Sequence, residues 1–441
     1  MSESLQYRIR GHDAATLTRS VEQGVVAGRL APGEELPSVR ALARDLGLSP
    51  TTVASAYRDL RQRGVLVTHD RSRTTVAHRP PLAIRLLPEI PPGVVDAATG
   101  NPDPALLPDL RPALAGLSGD HRLYGEDPTI EALLELARDD LGRDLVPTDH
   151  LAVVGGALDG IERVLEVHCR LGDRIGVEDP CYIGTLDLIR TLGLVPVPIR
   201  LDDEGPDPEA LATAVDHGLD AILLVPRAQN PFGAALSVTR AADIRRVLDA
   251  DPDLLVIEDD PAAWISGAPH HVVITDRPRW AVVRSLAKSL GPDLRTAILA
   301  ADEDTITRVR GRQRLGTGWV SHLLQRLAAA VWTGSLQDGT LERAAHTYAE
   351  RRRAVLDTLA EHDLIAHGAS GLNVWVPVAE EVPVVQSMAS RGWAIQAGEP
   401  FRIGADPGVR ITVAALPPEE GVGLATDLAE VLGLRLGTRR G

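Results

Sequence analysis

RSLAKSLGPDLRTA, running from Arg284 to Ala297, holds the only lysine of the 441 residues. The chain carries 46 basic residues, and every one except Lys288 is arginine. Arginine supplies charge and hydrogen bonds, but its guanidinium stays protonated and is no primary-amine nucleophile. A lysine amine can lose its proton and condense with an aldehyde. The single lysine therefore points to aldehyde chemistry, weighed against an arginine bias that left one lysine by accident. What surrounds it in the chain has to decide.

Upstream of it, from about residue 150, short apolar runs alternate with helical periods. LAVVGG leads into ALDGIERVLEVHC, DRIGVEDP leads into CYIGTLDLIRTLG, and AILLVP and LLVIEDD follow. This alternation predicts an α/β domain with a mostly parallel sheet. Active groups in such sheets sit at the carboxyl ends of the strands, and polar motifs fall at those ends. GGAL (Gly155–Leu158) offers small residues through which helix N-terminal N–H groups reach a phosphate, although a tight strand–helix turn also uses glycine. EDPCY puts Tyr182 just after a strand, either a ring to stack on a flat heterocycle or a core tyrosine. AQNP ends a strand with Asn230, a donor for a phenolate oxygen. LLVIEDD runs straight into Glu258, Asp259 and Asp260, carboxylates that suit a metal, a helix N-terminus or a protonated ring nitrogen. Ser285 and Arg295 flank the lysine at minus three and plus seven. An amine, a ring-nitrogen partner, a stacking ring and phosphate donors are together the demands of one cofactor, pyridoxal 5′-phosphate (PLP). Cys169 and Cys181 are the only cysteines. Nothing around them has metal-ligand spacing, so they read as reduced, buried thiols and no metal site is expected.

The first eighty residues read differently. A helix over about Asp13–Ala27 turns Leu17, Val21 and Val25 inward. Ser38 caps VRALARDLG, with Leu42, Ala43 and Leu46 on one face and Gly47 as the stop. SPTTVASAYRDLRQRG follows at once, with Ser49 as N-cap, Pro50 in the first turn, Val53, Ala56, Tyr57 and Leu60 as the buried stripe, and Gly64 as the stop. Two helices so closely spaced predict a helix-turn-helix. VLVTHD and TTVAHR then form a two-stranded wing around Arg71 and Arg73. In this reading Ser49, Thr51, Thr52 and Arg58 face the major groove, Arg40 and Arg44 clamp phosphates, and Arg71 and Arg73 reach an adjacent groove or backbone. The plainer alternative is a small protein-interaction domain with solvated arginines.

Charge supports the division. The net charge is −15, yet residues 1–80 hold 12 arginines against 8 acidic residues. An acidic body with a mildly basic head suits one end that approaches an anionic polymer. AHRPPLAIRLLPEIPPGVV (Ala77–Val95) carries five prolines and no helical period, the pattern of an extended linker. The division expected is 1–77 for the DNA-binding head, 78–95 for the linker and 96–441 for the body. The polar Met1–Arg10 start and the lack of an apolar run of about 18 residues predict a cytoplasmic protein with no membrane association.

LPSVRALA and SPTTVASAYRDLRQRG resemble the winged helix-turn-helix of GntR-type transcription regulators over about 65 residues; that family's wing usually has a glycine-rich turn where this chain reads THDRSRTT. KSLGPDLR and AQNP, in their order and spacing, make residues from about 96 to 435 resemble fold-type I aminotransferase-like enzymes, with a smaller C-terminal α+β subdomain. The combination resembles the MocR/PdxR subfamily. The resemblance implies Lys288 as the internal-aldimine lysine and Asp259 as partner of the pyridine nitrogen. It implies Tyr182 stacked on the ring, Asn230 on the cofactor's O3′, and Gly156, Ala157, Ser285 and Arg295 on the phosphate, with Tyr124 reaching it from the second subunit of a homodimer. Arg410 in GVRITVAAL matches the arginine that grips an amino acid's carboxylate. Two positions depart from the family: Pro261 in EDDPA stands where tyrosine is usual, and Phe232 in NPFG where threonine is usual. The function implied is a PLP-dependent DNA-binding transcription regulator, sensing PLP or an amino-acid or amine effector by aldimine exchange at Lys288. Two alternatives remain: an active aminotransferase with an N-terminal interaction module, capable at least of half-reactions, and a catalytically dead body whose head binds protein.

Overall fold

The structure is a computed structural model, and it describes residues 9–26, 29–31, 33–62, 64–69, 73–77, 90–117, 120–275 and 277–438. Arg71 and most of the proline-rich segment 78–95 lie outside the described residues. The chain divides into two compact units.

The first unit contains α1 (Ala14–Val26), α2 (Val39–Leu46), α3 (Pro50–Gln62) and a hairpin of β1 (Leu66–His69) and β2 (Arg73–Val76). Capping sets the helix boundaries. The Ser38 hydroxyl accepts from Ala41 N at 3.2 Å and starts α2. Gly47, at φ +66°, ends it by turning its own N–H back to the last carbonyls, a left-handed position that glycine takes without Cβ strain. Two residues later the Ser49 hydroxyl accepts from Thr52 N at 3.1 Å and opens α3. The apolar stripes then meet in one small core of Leu17, Val21, Leu42, Val53, Ala56 and Leu60, closed by Leu66 and Val76 of the hairpin. Tyr57 is buried with them, and its hydroxyl donates to Pro37 O at 2.8 Å. This is a winged helix-turn-helix.

The second unit begins with β3 (Val95–Ala97), α4 (Arg111–Ala115) and α5 (Glu131–Arg143), and continues through β4 (Leu151–Val154), α6 (Ala157–His168), β5 (Arg174–Asp179), α7 (Ile183–Thr191), β6 (Val195–Asp202) and β7 (Gly205–Pro206). After α8 (Pro208–Asp216) come β8 (Ala221–Leu224), α9 (Val238–Leu248), β9 (Leu255–Asp260), β10 (Trp280–Ser285), α10 (Ala287–Leu290) and β11 (Ala297–Ala301). The last stretch is α11 (Glu303–Arg314), α12 (His322–Gln337), α13 (Thr340–Glu361), β12 (Asn373–Pro377), α14 (Glu381–Ser390), β13 (Trp393–Ala397), β14 (Gly408–Thr412) and α15 (Pro418–Thr438).

Eight strands form the large sheet in the order β4-β11-β10-β9-β8-β5-β6-β7. Pairing is parallel from β10 through β9 and β8 to β5. β11 runs antiparallel to both neighbours, so β4 and β10 still point the same way. The carboxyl ends of β4, β10, β9, β8 and β5 therefore share one edge of the sheet. The central strands β8, β9 and β10, and β4, are buried along their lengths, as expected of a sheet covered on both faces. A second sheet, β12-β14-β13-β3, packs against α13, α14 and α15 through Val355, Leu359, Val384, Met388, Leu424 and Leu428. The body is thus an α/β sheet domain with a smaller α+β subdomain. β3 pairs with β13 about 300 residues away in sequence, so the chain passes through the small sheet before it builds the large one. Cys181 is buried and Cys169 half-buried, both as free thiols.

Candidate functional site

Strand register assembles the site. Asp259 at the end of β9 lies opposite Val283 of β10, Ser285 at the end of β10 lies opposite Ala297, and Ala297 lies opposite Val154 at the end of β4. The turn Gly155–Gly156–Ala157 then enters α6. Arg295, two residues ahead of β11, donates from Nη2 to Gly155 O at 3.2 Å. A Cβ on Gly156 would meet the same nitrogen at 3.2 Å, and Gly156 holds φ +112°; the close approach of guanidinium and backbone requires glycine there. Ser285 accepts from Ala287 N at 3.3 Å, inside the turn that carries the lysine. Tyr182 follows β5 and is 38% exposed. Gly184 makes room for its ring, since a Cβ there would meet Tyr182 Cε1 at 2.6 Å and Leu158 Cδ1 at 3.2 Å. The ring therefore lies beside the first turn of α6.

The strand's two-residue period separates the three carboxylates of LLVIEDD. Glu258 and Asp260 point to one face and Asp259 to the other. Asp260 accepts from Arg227 Nε at 3.0 Å and from Arg284 Nε at 2.8 Å. Burial opposes its charge, yet the two guanidiniums hold its carboxyl well below the ordinary range. Arg284 also reaches Asp140 and Asp144, each at 2.5 Å. Glu258 takes His270 Nε2 at 2.7 Å, while Arg284 Nη2 approaches His270 Nδ1 at 2.9 Å. Burial lowers the imidazole, but Asp144 on its Nδ1 side and Glu258 at Nε2 raise it to about 9 and hold it charged. Asp259 stands apart from the network. It is buried, its Oδ1 has no hydrogen-bond partner among the described residues, and burial together with the Asp260 charge raises its carboxyl to about 7. A buried carboxyl oxygen without a donor is costly, and one N–H delivered by a ligand would satisfy it.

Lys288 sits in the short helix α10, half-buried, and donates from Nζ to Gly100 O at 2.5 Å. Burial and the nearby Arg410 push its amine down to about 8. Arg410, on β14 of the small sheet, is buried and donates from Nη1 to Asn230 Oδ1 at 3.2 Å and from Nη2 to Ala98 O. Burial lowers the guanidinium to about 10. The fold thus gathers Lys288, Asp259, Asn230, Tyr182, Gly156, Ala157, Ser285, Arg295 and Arg410 around the strand ends and the adjoining small sheet. Tyr124 is not gathered: it is 93% exposed and meets Trp319 edge-on at 5.6 Å. Glu178, buried beside this group with its carboxyl raised to about 8 mainly by burial, escaped notice in the sequence, as did the Gly100 and Ala98 carbonyls. The EDP motif could have signalled the first; a carbonyl leaves no mark in a sequence.

In the first unit Arg40, Arg44, Ser49, Thr51 and Arg58 are exposed and Thr52 is half-buried. The hydroxyls of Thr51 and Thr52 lie 2.7 and 2.8 Å from Ser49 Oγ, a cluster at the start of α3. Arg73 begins β2.

A winged helix-turn-helix on one chain with an aminotransferase-type α/β body defines a DNA-binding transcription regulator with an enzyme-derived domain. Residues 14–76 match "Bacterial regulatory proteins, gntR family" and residues 92–426 match "Aminotransferase class I and II"; the chain belongs to the GntR-type regulators that carry this domain, the MocR/PdxR kind. It is 37% identical over 430 residues to the vitamin B6 salvage pathway transcriptional repressor PtsJ of Salmonella typhimurium, covering 96% of this chain and 99% of that one. It is 28% identical to the pyridoxine biosynthesis transcriptional regulator PdxR of Corynebacterium glutamicum, over 78% of each. The fold matches LysN, the α-aminoadipate aminotransferase of Thermus thermophilus, with a TM-score of 0.70 at 20% identity over 79% of this chain and 94% of that one. The body is therefore of a class that generally depends on PLP. Among the described residues no helix is long and apolar enough to cross a membrane.

Proposed function

We propose that this regulator takes PLP at Lys288 and reads an amino compound at the same place, the state of that site setting how the head binds DNA. The carrying observation is that the chain's only lysine and the orphaned Oδ1 of Asp259 both fall at the strand ends of the large sheet. Asp259 would accept the ring N–H, Tyr182 would cover the ring, Asn230 would meet O3′, and the 155–157 turn with Ser285 and Arg295 would hold the phosphate. Bound PLP supplies an aldehyde carbon and a ring that takes up electrons. Lys288 would hold the cofactor through its amine, and Arg410 would receive the carboxylate of an incoming amino acid. Likeness to a repressor named for vitamin B6 salvage favours PLP itself as one of the signals. Exposed Arg40 and Arg44 would contact phosphates while Ser49, Thr51, Thr52 and Arg58 present the start of α3 to the major groove, with Arg71 and Arg73 in the wing. Tyr124, exposed here, would complete the phosphate site of a partner subunit in a homodimer. The division of labour is a head to residue 77, a linker over 78–95 and an effector domain from 96, in a cytoplasmic protein.

Lys288→Ala tests this: the visible absorption that PLP gains on attachment to the wild-type chain should be absent in the variant, while the far-ultraviolet circular dichroism stays the same. An unchanged visible band would remove Lys288 from the role. The second reading, a turning-over aminotransferase, draws on the presence of Lys288, Asp259 and Arg410 together. Pro261 has no hydroxyl to give O3′, which favours binding over turnover; steady amino transfer to a keto-acid acceptor would reverse that preference.

A further inference from the structure

An aromatic residue that the sequence did not single out lies against the Arg410 guanidinium. Phe401 is buried on the short turn Glu399–Phe401, and its ring centre lies 4.8 Å from the guanidinium carbon. A ring over one face fixes a guanidinium's plane, and a carboxylate is received bidentately only in that plane.

What seats Phe401 is a carboxylate of the large sheet. Asp179 ends β5 and is 5% exposed. Its Oδ1 accepts from Ile403 N at 2.9 Å, and its Oδ2 accepts from Gly404 N at 2.7 Å and Ala405 N at 2.8 Å. The Phe401 carbonyl accepts from Cys181 N at 2.8 Å, one residue before Tyr182. Three successive backbone donors converging on one buried anion form a nest, and no side-chain cation among the described residues forms an ion pair with Asp179. Such a carboxylate is spent entirely on holding one turn in place. That turn spans from the Tyr182 end of the large sheet to the Arg410 strand of the small one.

We propose that Asp179 is a positioning residue for the effector site: by seating residues 401–405 it holds Phe401 against Arg410 and fixes the plane in which an amine bearing a carboxylate is received. The proposal rests on the reading of Arg410 as the carboxylate receiver. An amine with no carboxylate gains nothing from this arrangement, so Asp179 sets the discrimination between amino acids and simple amines.

The test titrates the PLP-loaded, full-length protein with L-alanine and, separately, with ethylamine, and reads the half-saturating concentration from the change in the visible band. The wild type should respond to alanine at a lower concentration than to ethylamine. Asp179→Asn places an amide N–H₂ against backbone donors, and the preference for alanine should fall about tenfold, the scale of a desolvated cation–π contact. The ethylamine value and the band of PLP alone should stay within about twofold. Phe401→Leu, which removes no charge and carries the test if Asp179→Asn fails to fold, should show the same selective fall, and the double variant no further loss. A preference present in the wild type and undiminished in these variants would overturn the role of Asp179. Equal half-saturation by both amines in the wild type would overturn the carboxylate role of Arg410, and this inference with it.

Discussion

Among single residues, the one lysine that arginine did not replace follows the end of β10, and the buried Asp259 Oδ1 without a donor lies near the end of the adjacent β9. The amine of Lys288 is lowered to about 8 by burial and by Arg410, and only the neutral amine condenses with an aldehyde. Attachment of PLP should therefore accelerate as pH rises from 7 to 9, with a midpoint near 8, measured as the rate at which the visible band appears. A flat rate across that range would place the lysine in a different environment. Lys288 stood out in the sequence as the only lysine, whereas Asp259 and Arg410 were singled out through the family resemblance. Which of the three carboxylates faces the site became definite only with the strand's alternation. The partners of Asp260 were not legible, since Arg227 and Arg284 reach it from separate parts of the chain.

Elements carry these residues into place, and their local signals were strong. The serine caps and glycine stops of α2 and α3 work through backbone groups two to four residues away, so sequence alone locates them. β3 had no such signal, because its pairing with β13 is decided by contacts at the far end of the chain. Two outcomes belong at this scale. Arg284→Ala strips the counter-charge from the carboxylates of α5 and β9, and should lower the unfolding free energy by roughly 3–5 kcal/mol, the cost of leaving buried charge unpaired. Denaturant unfolding would measure it, and a loss near zero would show that the network is already compensated by solvent. Arg40→Ala, on the exposed side of α2, should weaken DNA binding by a similar factor on every sequence and reduce the salt slope of binding by about one. A loss confined to one DNA sequence would instead mark Arg40 as reading bases.

The whole molecule joins a basic head to an acidic body of the aminotransferase class I and II family. The composition foretold this asymmetry, and the family membership explains why a transcription regulator carries an aminotransferase-type sheet. The carbonyls of Gly100 and Ala98, which accept from Lys288 and Arg410, left no mark in the sequence. A ligand changes the head only as far as it binds one state of the protein better than another.

That coupling is the central claim, and one measurement addresses it directly. A DNA duplex selected from a random pool by the PLP-loaded protein would be titrated, by fluorescence anisotropy at fixed salt, with wild type and Lys288→Ala, each with and without PLP. PLP should shift the wild-type dissociation constant at least about tenfold, within the range of allosteric coupling, and leave that of Lys288→Ala unchanged. Identical responses of the two proteins, or no response in the wild type, would contradict it.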